Sequence, residues 1–147
     1  MTADDRARIL TFLKSHRWAV EATVTADGGP QAALIGFGIT DQLEFVFDTL
    51  KSTRKALNLE GNPRVALVVG GWGDADPRTL QCEGIADVPD GSELQRLQTA
   101  YFAAFPDGPD RLSWPGITYV RVTPTWMRYC DYTVMPPEIV EWSMTAQ

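Results

Sequence analysis

Strand-like segments joined by short turns are the feature of this sequence that most restricts its fold. Residues 18–25 alternate apolar and polar side chains as a half-buried strand does, and an Asp-Gly-Gly-Pro turn at 27–30 joins them to a second strand over 31–39. Further strands are predicted at five places: 43–48, 65–69, 79–88, 117–123 and 125–132, the last two separated by Pro124. Six or seven strands linked in this way, with helices inserted between them, predict a mainly β (α+β) fold built as an antiparallel barrel.

Three helices are predicted between these strands. Residues 4–15 carry acidic residues at their start and an apolar stripe, and residues 92–105 form a second amphipathic pattern. The third helix, over 52–60, is short. The loop that covers 106–116 is rich in proline and glycine and is expected at the surface.

The short helix over 52–60 carries its charges in an unusual order. Ser52 is a suitable N-cap and Gly61–Pro63 ends the helix, so Arg54 and Lys55 fall in its first turn. The helix macrodipole is positive there and disfavours cations, whereas a phosphate beside free backbone N–H groups favours them. Hydroxyl donors are also at hand: Thr49, Ser52 and Thr53. The sequence predicts a phosphate-binding corner, although a solvated helix whose two cations point to water fits the same pattern.

Size and composition narrow the function classes. The 147 residues are enough for one domain with its own core, and a single domain over 1–147 is predicted. The net charge of −6 disfavours a general nucleic-acid binder. No apolar run is long enough to span a membrane and the polar start does not resemble a signal peptide, so a cytoplasmic protein is expected. Cys82 and Cys130 lack CxxC spacing and are expected to be reduced, buried thiols.

Several familiar site motifs are excluded. Gly36-Phe37-Gly38 lies inside a strand, and Asp41 stands where a dinucleotide fingerprint needs its third glycine. These glycines are expected to let a flat group approach the backbone or to mark a bulge. His16, the single histidine, follows a helix end, so no metal site is predicted. Trp126 lies in a strand where its ring could line a cofactor face or pack in the core.

The stretch from Pro30 to Val69 resembles the pyridoxamine 5′-phosphate oxidase-like family of FMN-binding split β-barrels. The matching segments are Ala33-Leu34-Ile35-Gly36, Asp48-Thr49, Ser52-x-Arg54-Lys55-Ala56-x-Asn58-Leu59, Asn62-Pro63-Arg64-Val65-Ala66-Leu67 and, later, Leu80-Gln81-Cys82-Glu83-Gly84-Ile85-Ala86. The resemblance covers roughly residues 5–132 and implies a homodimer with FMN in two clefts at the interface. It implies that the flavin ring rests against the backbone of the strand at 33–36, with Arg54, Lys55 and neighbouring hydroxyls on the phosphate. The implied cofactor contacts are Ala33, Leu34, Ile35, Gly36, Asp48, Thr49, Ser52, Arg54, Lys55, Thr79, Gln81 and, as a weaker counterpart, Trp126.

The resemblance also implies an activity. It implies an FMN-dependent oxidoreductase in which hydride passes through flavin N5 to or from a small molecule, with no catalytic side chain identified. Ala33 stands where the true oxidases carry an arginine, and their C-terminal substrate signature has no clear counterpart, so a substrate other than pyridoxamine phosphate is expected. Candidate substrate-side groups are Tyr101, Asp131 and Tyr132. The alternatives are a deazaflavin-dependent reductase and a non-catalytic flavin-binding or stress-response protein; a single histidine disfavours haem.

Overall fold

The structure is a computed structural model that describes residues 1–71, 73 and 75–144. The described residues form eight strands, three α-helices and one 3₁₀ turn. In chain order these are α1 (Ala3–Lys14), β1 (Trp18–Val24), β2 (Pro30–Gly36), β3 (Gly38–Ile39), β4 (Phe45–Leu50), α2 (Arg54–Gly61), β5 (Arg64–Gly70), β6 (Thr79–Asp87), α3 (Gly91–Ala104), the 3₁₀ turn (Gly108–Arg111), β7 (Ile117–Asp131) and β8 (Glu138–Ser143).

The strands form one sheet in the order β2-β1-β5-β6-β7-β4-β3, with β8 added against β7. All of these pairs are antiparallel. The sheet curls into a half-barrel, so the predicted mainly β, antiparallel split-barrel fold is confirmed. The strands differ from the prediction in three places. Strand β8 was not predicted, the segment over 31–39 divides into β2 and β3, and the segments over 117–123 and 125–132 join into β7.

The prediction that Pro124 separates two strands is wrong. Strand β7 runs unbroken through it, because the register against β6 shifts there: Glu83 faces Trp126 and Gly84 faces Pro124. One extra residue, Thr125, therefore bulges out of the pairing. A proline, which has no N–H to donate, is tolerated at such a bulge.

The main core lies on the inner face of the curled sheet. Strand β5 alternates, with Val65, Leu67 and Val69 buried and the residues between them exposed. Helix α1 closes one end with its buried stripe of Ile9, Phe12 and Leu13. Its first turn is fixed by a capping box in which Thr2 and Asp5 exchange hydrogen bonds.

A second, smaller cluster lies on the outer face of the sheet, where α3 packs on β4 and β7. Leu97, Tyr101 and Phe105 of this segment contact Val46 and Tyr119. None of the helices in the described part of the chain is long and apolar enough to cross a membrane.

Candidate functional site

The start of α2, where the sequence predicts a phosphate-binding corner, is capped by a different residue from the one expected. The N-cap is Thr53 rather than the predicted Ser52: its hydroxyl accepts a hydrogen bond from the Ala56 backbone N–H at 3.4 Å. Arg54 and Lys55 are therefore the first two helical residues, and the first turn holds no acidic residue. Their N–H groups have no acceptor within the helix, because the first four of any α-helix lack one.

Two threonine hydroxyls join β4 to this corner. The Oγ1 atoms of Thr49 and Thr53 lie 2.9 Å apart in a hydrogen bond, and Thr53 also donates to the Leu50 carbonyl at 2.9 Å. Thr49 is buried, whereas Ser52 and Arg54 are exposed. The corner is thus a fixed strand end followed by an open helix start.

Helix α2 is anchored over the inner side of β1 through polar side chains. No side chain of α2 is fully buried. Asn58 Nδ2 donates to Thr23 Oγ1 at 3.0 Å and to Gln31 Oε1 at 2.7 Å. These bonds hold the helix across β1 and β2, which fixes the direction in which its first turn points.

Glu21, which the sequence analysis missed, lies under the same helix. Its side chain is only 1% exposed, and burial raises its pKa to about 6, while the charge of Lys55 acts to lower it. The alternating pattern of β1 offered no signal, because Glu21 falls among its polar positions, which such a pattern places toward solvent, whereas the structure buries Ala19, Glu21 and Thr23.

The carboxylate of Asp48 is hydrogen-bonded to side chains of this chain rather than exposed to solvent. Its carboxylate accepts hydrogen bonds from Arg111 Nε at 2.7 Å and from the Tyr101 hydroxyl at 2.9 Å. Tyr101 is buried, and its pKa is raised chiefly by burial. The expectation that Tyr101 faces a substrate is therefore wrong, because its buried hydroxyl is bonded to Asp48 and Arg111. Asp131 is the half-buried last residue of β7, and Tyr132, which follows it, is exposed.

The groups that approach the glycines of the predicted second strand belong to this chain: the flat ring of Phe105 at Gly36, and the backbone of α3 at Gly38. A Cβ built on Gly36 would lie 2.4 Å from Cζ of Phe105, and one on Gly38 would lie 2.7 Å from the Ala100 carbonyl oxygen. The glycines thus allow α3 to seat against β2 and β3. Within β2, Ala33 and Ile35 pair with inward residues of β1, whereas Leu34 points outward and is 62% exposed.

The remaining predicted contacts lie on the outer face of the sheet. One row of register partners runs across it: Leu34, Val20, Val68, Gln81 and Arg128. Thr79 lies two residues before Gln81, and Trp126 lies two residues before Arg128. Both therefore share this face, because residues two apart in a strand point to the same side. Leu34 and Gln81 are three strand spacings apart, or roughly 14 Å. The chain by itself therefore separates the predicted contacts of β2 from those of β6 and β7.

Other ionisable groups are explained by the fold. Nδ1 of His16 bonds to the Phe12 carbonyl at 2.8 Å, as expected at a helix end. Cys82 and Cys130 are buried free thiols, and burial raises the pKa of Cys82 to about 12. Among the described residues, no group of three or more His, Cys, Asp or Glu side chains could hold a metal ion.

Comparison with known proteins identifies the family. A family model described as pyridoxamine 5′-phosphate oxidase matches residues 6–131. A curated relative from Rubrobacter xylanophilus, named pyridoxine/pyridoxamine 5′-phosphate oxidase, is 38% identical over 95 residues, which are 65% of this chain and 41% of the relative. The chain spans about two fifths of the length of the curated relatives it matches.

Solved structures share the fold over nearly the whole chain. A heme-binding protein from Mycobacterium smegmatis is 19% identical with a TM-score of 0.81, covering 97% of this chain and 58% of that one. A pyridoxamine 5′-phosphate oxidase-related, FMN-binding protein from Nostoc punctiforme is 18% identical with a TM-score of 0.67, covering 98% and 96%. At these identities the likeness shows the fold alone. The match of the family model over most of the sequence shows that the chain belongs to the pyridoxamine 5′-phosphate oxidase family.

Proposed function

We propose that the chain binds FMN with its phosphate at the start of α2 and acts as an FMN-dependent oxidoreductase on a small molecule. The observation that carries this proposal is the first turn of α2, where Arg54 and Lys55 stand where the macrodipole disfavours cations. Family membership and the FMN-binding relative from Nostoc punctiforme support the choice of ligand.

The residues present fit a phosphate. Thr53 caps the helix, Thr49 lies beside it, and the N–H groups of Arg54 and Lys55 are free of intrahelical acceptors. A phosphate dianion carries several acceptor oxygens, and this corner offers donors and positive charge with no carboxylate in the first turn. The same donors would suit the phosphate of a deazaflavin cofactor.

The protein's own part in the reaction is binding and orientation. Bound FMN supplies hydride transfer through N5. Arg54 and Lys55 hold the phosphate, and the outward side of β2 at Leu34 offers an apolar surface to a flat ring. Gln81 presents an exposed amide on the same face, a donor of the kind that stabilises negative charge on a ring oxygen.

We further propose that the functional unit is a homodimer formed through the outer face of the sheet. This face exposes Trp18, Leu34, Val68 and Ile85 by 41–62%. Apolar side chains clustered on one face mark an interaction surface. A second copy would also bring residues of β6 and β7 within reach of a ring on β2, which one chain holds roughly 14 Å away.

The dimer is tested by two matched substitutions. Leu34 and Val88 are 62% and 61% exposed, but only Leu34 lies on the outer sheet face. Sedimentation equilibrium is expected to give a dimer for the wild type and for Val88→Asp, and a monomer for Leu34→Asp. A monomeric wild type at all concentrations, or a dimer unaffected by Leu34→Asp, contradicts this interface.

The ligand is tested by titrating the cofactor-stripped protein with FMN and following the quenching of flavin fluorescence. Arg54→Ala/Lys55→Ala removes two charge-assisted contacts worth about 1.5–3 kcal/mol each, so affinity should fall by about 100-fold or more. Arg6→Ala/Lys14→Ala removes the same charge from exposed positions of α1 and is expected to bind as the wild type does.

Each outcome of this titration is informative. If the wild type does not bind FMN, the proposal fails, and saturable binding of a deazaflavin cofactor instead would establish the alternative reductase. If FMN binds, steady turnover with NADH or NADPH and an electron acceptor distinguishes an oxidoreductase from a flavin-binding protein without turnover.

A further inference from the structure

The carboxylate of Glu21 lies inside the half-barrel with one oxygen unsatisfied. The side chain is 1% exposed, and Oε2 has no hydrogen-bond partner among the described residues. Its register partners on the two flanking strands are Ala33 and Leu67, which offer no polar side chain. A buried ionised carboxylate in such surroundings requires either a nearby cation or a proton.

Helix α2 places Lys55 over this carboxylate. Asn58 of α2 bonds to Thr23, and Thr23 lies on the same face of β1 as Glu21, two residues along. Lys55 precedes Asn58 by three residues, so the two share a face of the helix. Lys55 is half-buried, and its charge acts on Glu21.

Among the described residues of the flanking strands and of α2, no other ionisable group competes for this position. Strand β2 carries no ionisable residue, and β5 carries only Arg64, which is exposed at its start. Helix α2 carries Arg54 and Glu60 as well, both exposed. Of all these groups, Lys55 is the one whose charge bears on Glu21.

Lys55 therefore faces two anions: a buried carboxylate beneath the helix and, under the proposed function, a phosphate at its start. We propose that Glu21 is a proton-linked positioning residue, whose charge attracts Lys55 without a direct ion pair while the phosphate site is empty and which takes up a proton from solvent when the phosphate of FMN engages Lys55. This inference rests on the proposed FMN site and adds a regulation of that site by pH.

The sign of the effect follows from the charges. The free protein has the carboxylate ionised above about pH 6. A bound phosphate adds negative charge near Glu21 and engages the charge of Lys55, so binding favours the protonated carboxyl. Binding then consumes a proton at and above pH 6, and the FMN affinity falls by up to about tenfold per pH unit as the pH rises.

The experiment compares the pH dependence of FMN affinity in three proteins. Wild type, Glu21→Gln and Glu60→Gln are titrated with FMN from about pH 5.5 to about pH 8, the window around the ionisation of Glu21. Glu60→Gln removes an exposed carboxylate from the same helix and is the matched control. The FMN phosphate itself titrates in this range, but it is common to all three proteins, so the ratio of their affinities isolates Glu21.

The expected result is specific to Glu21. Glu21→Gln should bind FMN about tenfold more tightly than the wild type near pH 8 and equally well below pH 6. Glu60→Gln should keep the wild-type slope. Calorimetry in two buffers of different ionisation enthalpy should detect proton uptake on FMN binding that Glu21→Gln lacks.

Two results overturn the inference, and they are distinguishable. If FMN binds and the ratio of wild-type to Glu21→Gln affinity is constant across pH with equal proton uptake, Glu21 has only a structural role and the proposed function stands. If none of the three proteins binds FMN at any pH while all remain folded, the phosphate site itself is wrong and the inference fails with it.

Discussion

The approach of α3 to two glycines makes a quantitative prediction for the packing that supports β2. A Cβ on Gly36 would lie 2.4 Å from Cζ and 3.0 Å from both Cε atoms of Phe105. Ordinary carbon contact requires about 3.5 Å or more, so the ring tip must move by about 1 Å. The ring has little room, because it stacks on Tyr101 with centroids 5.0 Å apart and meets Trp18 edge-on at 5.8 Å.

Gly36→Ala should therefore destabilise the protein by about 1–3 kcal/mol, the usual range for overpacking. At this chain length each kcal/mol lowers Tm by about 2–4 °C. Gly38→Ala should cost about 3 kcal/mol or more, because its new Cβ would meet the Ala100 carbonyl oxygen and Tyr101 Cα at 2.7 Å. Backbone atoms of a helix cannot turn aside as a phenyl tip can.

The assay is urea denaturation followed by circular dichroism, with Gly61→Ala as the control. Gly61 is the last residue of α2 and has nothing within 4 Å of a built Cβ, so this change should be neutral or stabilise by up to about 1 kcal/mol. Phe105→Leu should relieve Gly36→Ala in a double-mutant cycle but leave the cost of Gly38→Ala unchanged. A Gly36→Ala protein as stable as Gly61→Ala, or one that shows no coupling to Phe105→Leu, would contradict a clash between the new Cβ and the Phe105 ring.

Two further predictions concern charged groups. Arg111→Met should leave the carboxylate of Asp48, which is 14% exposed, without its cation and lower the free energy of unfolding in urea by about 3 kcal/mol. Arg8→Met, which removes an exposed ion pair, should lower it by less than about 1 kcal/mol. Equal losses of unfolding free energy in the two variants would contradict this. Because burial raises the folded-state pKa of Glu21 from 4.5 to about 6, its contribution is intact below pH 4.5 and is lost as the pH rises through 6, by about 2 kcal/mol. Glu21→Gln should abolish that part of the pH dependence of the unfolding free energy, and parallel curves for the two proteins would rule the effect out.

Most of the fold could be predicted from local sequence patterns, because a strand and a helix each repeat their apolar residues at a characteristic spacing. The alternation of β1 and the apolar stripe of α1 are read within a few residues, and both elements lie where the sequence places them. Pro124 and β8 were not predictable in this way. The passage through Pro124 depends on a bulge against Glu83 and Gly84 of another strand, and β8 forms by pairing with β7. Such features depend on partners distant in the chain.

The candidate site likewise has a part that the local sequence predicts and a part that depends on distant segments of the chain. The corner around Arg54 and Lys55 could be found because a strand end, a cap and a first turn are contiguous in the sequence. The groups that act on the corner from elsewhere could not. Arg111 reaches Asp48 across 63 positions, and Glu21 lies under α2 on the first strand of the sheet. Nothing in the local pattern of either residue indicates its partner.

Helix α2 itself argues for a ligand at its start. It has eight residues, no fully buried side chain, two cations at its positive end and neither an acidic first turn nor a basic last turn. Each of these features weakens an isolated helix, and short helices are marginal even with good sequences. The fold compensates by anchoring Asn58 to β1 and β2 and by capping the helix with Thr53. A residue that disfavours the structure it adopts is expected where function, rather than stability, has selected that residue. An anion bound at this turn would attract both cations, so that they would stabilise the helix start instead of destabilising it.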